Sequence, residues 1–123
     1  MKSEITSLEA FFDGRPFSRQ LFDCLAEMIH SLGHVDLRVT KSQVAFRCRK
    51  AFAWAWLPQQ YLQGRGAPLV VSIALRRRDP SKRWKQVVQP KPGWFMHHLE
   101  LNDLSDLDDE VKTWLQEARS QAL

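Results

Sequence analysis

The segment RRRDPSKRWK places Arg76, Arg77, Arg78, Lys82, Arg83 and Lys85 around one turn, with Trp84 among them. Proteins that track a nucleic-acid backbone combine cations with aromatic platforms, because phosphates reward the first and base faces the second. The same residues also suit a solvated hairpin whose arginines pair with the acidic helices, some of them stacking on Trp84. A weaker anion signal is Gln63-Gly64-Arg65-Gly66, whose backbone N–H groups and Arg65 could meet a phosphate. That stretch leads through Pro68 into a strand pattern rather than a helix, so it lacks the helix N-terminus of the familiar phosphate loops and reads more simply as a turn.

His98 and Glu100 are two residues apart in a strand pattern and so share a face. Such a pair suits an oriented general base, and with the unassigned Ser42 and Gln43 it is the only material for a small enzyme. Spacing places no nucleophile or second carboxylate beside them, and a structural pair is the simpler reading. His97 and His98 point to opposite faces and cannot chelate one metal together, so neither a metal nor a cofactor is expected. Cys48 lies between Arg47 and Arg49, cations that lower a thiol pKa if it is exposed, but its alternation with Phe46 and Val44 argues for a buried, inert thiol.

Charge along the chain is segregated. Residues 1–37 carry a net −3; residues 38–91 hold 13 basic side chains against Asp79 alone, net +12; the remainder is net −5, which together give the overall +4. A cationic middle is flanked by acidic ends. The length of 123 residues fits one domain, and an apolar fraction of 44% with 26% charged residues excludes a disordered chain and a coiled coil. Two cysteines, Cys24 and Cys48, are too few for a disulfide scaffold and predict reduced thiols in a cytoplasmic protein. Glu4 and Glu9 interrupt any apolar run near the N-terminus, and the other apolar stretches are strand-sized, so neither an export signal nor a membrane span is expected.

The elements follow from periodicity. Pro16 opens a helix in which Phe17, Leu21, Leu25, Met28, Ile29 and Leu32 draw one apolar stripe, and Gly33 stops it. Leu104, Leu107, Val111, Trp114, Leu115 and Ala118 draw a second stripe, with Asp103, Ser105 and Asp106 as candidate caps. Between them the period changes to two, through Val35–Val39, Val44–Cys48, Phe52–Trp56, Leu69–Leu75, Lys85–Val88 and Phe95–Leu101. Short connections make neighbouring strands antiparallel. The clean alternation of Leu69, Val71, Ile73 and Leu75 predicts that both helices cover that face.

The register of the strand pair 44–48 and 52–56 stays open. A two-residue Arg49-Lys50 turn puts Arg47 and Arg49 on the face of Phe52, Trp54 and Trp56, as a cationic aromatic platform. A loop one residue longer puts Val44, Phe46 and Cys48 there instead, and makes the tryptophans core. Two-residue hairpins favour Asn or Gly, and Arg-Lys supplies neither, which favours the longer loop.

At LRVTKSQVAFR, AFAWAW, QYLQGRGAPLVVSIALRRRDPSKRWKQVVQP and HHLELNDLSDLDDEVKTWL, the chain resembles small bacterial proteins grouped as domain of unknown function 5655. The resemblance spans most of the chain. It implies a bacterial source and an α+β fold, and it brings no catalytic residue or mechanism.

Helix, five or six strands and helix predict a single α+β domain over residues 1–123, a two-layer sandwich with both helices on one face of a mainly antiparallel sheet. The expected function is non-catalytic binding of an anionic partner, nucleic acid or a phosphate-bearing ligand, through Arg76, Arg77, Arg78, Lys82, Arg83, Trp84, Lys85 and Arg65. The rival expectations are a protein-interaction or homodimerising domain and a small enzyme using His98 and Glu100.

Overall fold

The computed structural model describes residues 5–62 and 65–123. Three helices, α1 (Leu8–Phe11), α2 (Pro16–His30) and α3 (Asp109–Gln121), accompany six strands: β1 (Asp36–Val39), β2 (Val44–Arg47), β3 (Ala51–Trp56), β4 (Leu69–Leu75), β5 (Gln86–Lys91) and β6 (Trp94–Leu101). The strands form one sheet of order β1-β2-β3-β4-β6-β5, antiparallel throughout. It is the α+β sandwich expected from the sequence, with a short additional helix before Pro16.

Helices α2 and α3 lie on one face. Their stripes, Leu21, Leu25 and Ile29 from α2 and Val111, Leu115 and Ala118 from α3, are at most 1% exposed and pack with Leu69, Val71, Ile73 and Leu75 of β4. Helix α3 begins later than its leucine stripe suggests. Asp103 caps a 3-10 turn at Leu104–Asp106, and Asp108, with an extended backbone at ψ −174°, caps α3 by accepting from the Val111 N–H. Asp103 and Asp108 thus each serve one helical start.

The register of β2 against β3 departs from the favoured expectation. Phe46 pairs with Ala53 and Val44 with Ala55, so the small alanines share the helix-covered face with Phe46 and Val44. Trp54 and Trp56 point to the other face. The register then shifts, with Arg47 opposite Ala51, so that Phe52 is the extra residue of a bulge and is buried in the core at 1% exposure. Volume explains the outcome: alanines beneath α3 let the helix approach, and two indoles there would force it away.

Strand β6 lies between β4 and β5, so the segment from Arg76 to Lys85 must cross the end of the sheet before β5 returns. It is a crossover loop rather than the turn of a hairpin. The β5–β6 hairpin turns at Pro92-Gly93, where Gly93 has φ +78°. Neither Cys24 nor Cys48 is bridged. No helix among the described residues is long and apolar enough to cross a membrane.

Candidate functional site

The crossover loop is tied down by its own charge. Arg77 donates to Glu117 through Nε and Nη2, each at 2.9 Å, and through Nη1 to Asp79 at 2.8 Å. Arg83 spans Asp108 and Glu110 at the start of α3, at 3.0 and 2.8 Å, and donates to the Asp106 carbonyl. Both guanidinium pKa values are raised, first by hydrogen bonds to Glu117 and Glu110 respectively. Two of the six cations therefore face internal acids. Arg76 and Arg78 lie over the rings of Trp94 and Phe95, while Lys82 and Lys85 are exposed. Arg65 is exposed and donates to the Leu62 carbonyl, apart from this loop; its expected partners in a turn, Gln63 and Gly64, lie outside the described residues.

Trp84 is no stacking platform. It is buried, with its ring 4.1 Å from Trp114 and 4.8 Å from His97. Its indole N–H donates to Asp79, as do the Trp114 N–H, Arg77 and the Ser81 N–H. Burial opposes charge on Asp79, but the bonds from Trp84, Ser81 and Arg77 outweigh it and hold the carboxyl below its usual range. His97, fully buried, completes the cluster. Its Nδ1–H faces the Phe95 and Ile73 carbonyls, and its Nε2 accepts the Asp79 N–H at 3.0 Å. A proton on Nε2 would oppose that N–H, and burial depresses the pKa. The cluster pins the crossover loop beneath α3.

Among the described residues no α-helix covers the other face of the sheet. Trp54, Ser72, His98 and Gln86 follow one another across four adjacent strands in direct register. Val70, Ser72 and Ala74 of β4 are nevertheless at most 5% exposed, because the long side chains of β3 and β6 lean over them. Those side chains bound a concavity of about 420 Å³ lined by Trp54, Trp56, Tyr61, Ser72, Met96 and His98, together with Ser42 and Gln43. Ser42, Gln43 and His98 do converge, therefore, whereas Glu100 lies outside that concavity, in a neighbouring one that it shares with His98, Trp56 and Lys85.

Ser72 organises the floor. Its Oγ accepts the Trp56 indole N–H at 2.8 Å and lies 2.6 Å from His98 Nδ1. Among the described residues Nδ1 is the only acceptor in contact with that hydroxyl, so the serine proton points to it and the imidazole proton resides on Nε2. Burial, and then the neighbouring His97, lower the His98 pKa, which keeps the ring neutral and Nδ1 an acceptor at pH 7. Ser72 is 4% exposed and its oxygen already accepts the indole N–H, and among the described residues no second hydrogen-bond partner orients His98 as a base. This pair positions a ring; it lacks the third group and the access of a nucleophilic site.

A second concavity, of about 220 Å³, shares Trp54 and Met96 with the first and extends to Trp94, Lys91 and Lys50. Three cations surround the Trp94 ring: Arg76 at 5.1 Å, Lys91 at 5.4 Å and Lys50 at 5.7 Å from its centroid. None of the three has a carboxylate partner among the described residues. No group of three or more His, Cys, Asp or Glu side chains there could hold a metal ion.

Sequence reasoning singled out Arg76 but not the Trp94 ring it sits over, placed Trp54 and Trp56 in the core in the register it favoured, and did not single out Tyr61 or Ser72. The signal was present in AFAWAW, in which the alanines and not the tryptophans have the size suited to a helix-covered face.

The fold and this face define an α+β domain with a two-part groove on an uncovered antiparallel sheet. By sequence the chain belongs to the family described as domain of unknown function (DUF5655), whose model matches residues 8–122. No curated protein and no solved structure matches it.

Proposed function

We propose that the domain is a non-catalytic binding module for a phosphate-bearing ligand, nucleic acid foremost, and that it binds on the open sheet face rather than on the basic crossover loop. The observation that carries this reading is the Trp94 cage: Arg76, Lys50 and Lys91 within 6 Å of one ring, with no carboxylate paired to them among the described residues. Three like charges held together repel one another, and an anionic partner removes that cost. Trp94 and Trp54 offer aromatic surface beside them. In the crossover loop, by contrast, Glu117, Asp108 and Glu110 already perform the neutralisation for Arg77 and Arg83.

The test is the salt dependence of binding to a short labelled oligonucleotide. Three cations meeting single-strand phosphates give a log-log slope of about −2. Replacing Lys50 and Lys91 by alanine is expected to flatten that slope, while replacing Lys82 and Lys85 leaves it unchanged. No binding at about 50 mM salt, where such contacts are little screened, would overturn the proposal.

A further inference from the structure

The geometry points to the larger concavity as a nucleobase pocket, and hence to a single-stranded oligonucleotide as the occupant of the open face. This deepens the reading above and rests on it. A base needs aromatic surface for its faces and hydrogen-bonding groups for its edge. Trp54, Trp56 and Tyr61 supply the first. The amide of Gln43 and the Nε2–H of His98 supply the second, and Nε2 has no partner among the described residues.

Among the described residues the pocket lining contains no lysine, arginine, aspartate or glutamate. It suits a neutral heteroaromatic ring, whereas the cations of the adjoining concavity suit the phosphate that such a ring carries. Ser72 is the positioning residue. By holding Nδ1 it presents a donor, which an exocyclic carbonyl or ring nitrogen of a base accepts.

The occupant is a strand rather than a free nucleotide because of the distance involved. His98 and Trp94 are four residues apart on β6, about 13 Å at a rise of about 3.3 Å per residue. That length of strand accommodates consecutive nucleotides sharing Trp54 between them. A duplex is excluded, since its base faces are already stacked.

Fluorescence anisotropy with two probes of equal length and charge tests the inference: oligothymidylate and an abasic deoxyribose-phosphate strand. The intact protein is expected to bind oligothymidylate about tenfold or more tightly than the abasic strand, as stacking of even one base provides. His98→Gln and the surface-accessible Gln43→Ala are expected to narrow that ratio while leaving abasic binding unchanged, a readout that a merely structural loss would not produce. Equal affinity for the two strands would overturn the nucleobase pocket and leave the anion-binding face standing. Absence of binding to both would overturn the face as well. Thymidine triphosphate competing as strongly as the oligomer, base for base, would overturn the strand as occupant.

Discussion

Arg77 and Glu117, forty residues apart in sequence, meet through two hydrogen bonds of 2.9 Å, Nε to Oε2 and Nη2 to Oε1. This contact joins the basic middle of the chain to its acidic end. It also explains how so cationic a segment sits within one small domain: α3 brings Asp108, Glu110 and Glu117 over it as it packs its apolar stripe on the sheet.

Neighbouring acids in this region differ in worth. Arg77 and Glu117 are 46% and 29% exposed, so Glu117→Ala is expected to cost only about 0.5–1 kcal/mol. Asp79→Ala leaves the buried Trp84 and Trp114 N–H groups without an acceptor and is expected to cost about 2–4 kcal/mol. Urea denaturation of the two variants checks the order, and equal costs would refute it.

Stability is expected to fall with acid, beginning close to neutrality. His97 and His98 have folded pKa values lowered from 6.5, so from about pH 6.5 downward the unfolded chain takes up protons that the folded one refuses. The loss continues until pH passes the folded values. Asp79 acts in the same direction lower down, its contribution being present above pH 3.8 and lost as pH falls through its depressed folded value. Urea midpoints at pH 8 and pH 5 measure this, and a midpoint that is higher at pH 5 would contradict it.

Gly33, three residues beyond the end of α2, has φ +142°, and a Cβ there would lie 2.5 Å from Nη2 of Arg119. The arginine tip can move aside, but the backbone conformation cannot accommodate a side chain without strain. Gly33→Ala is therefore expected to cost about 1–3 kcal/mol, and adding Arg119→Ala is not expected to restore it. Full recovery in the double variant would show that the clash dominates.

Ile73 is fully buried at the centre of β4 beneath the helices. Ile73→Ala is expected to cost about 2–5 kcal/mol through lost burial and the cavity left behind. A change below about 0.5 kcal/mol would contradict the packing described.

The fold was legible because α2, α3 and β4 carry long, clean periods: Leu21-Leu25-Ile29 at helical spacing and Leu69-Val71-Ile73-Leu75 at strand spacing. The site was less so. Its placement turned on the β2–β3 register, which a turn-residue rule decides poorly when a bulge at Phe52 absorbs the mismatch. That the arginines could pair with acidic helices was legible, but not that Arg77 and Arg83 are the two that do, because Glu117, Asp108 and Glu110 lie far along the chain. Ser72 meets His98 only because β6 inserts beside β4, a crossover that no local pattern announces.

The five tryptophans provide the most direct test, since each indole N–H gives its own NMR resonance. Trp54, Trp56 and Trp94 line the open face, whereas Trp84 and Trp114 are buried at Asp79 and act as internal controls. Titration of the labelled protein with oligothymidylate at low salt is expected to shift the Trp54 and Trp94 resonances and leave Trp84 and Trp114 in place. Shifts confined to Trp84 and Trp114, or none at any of the five, would contradict binding on the open sheet face.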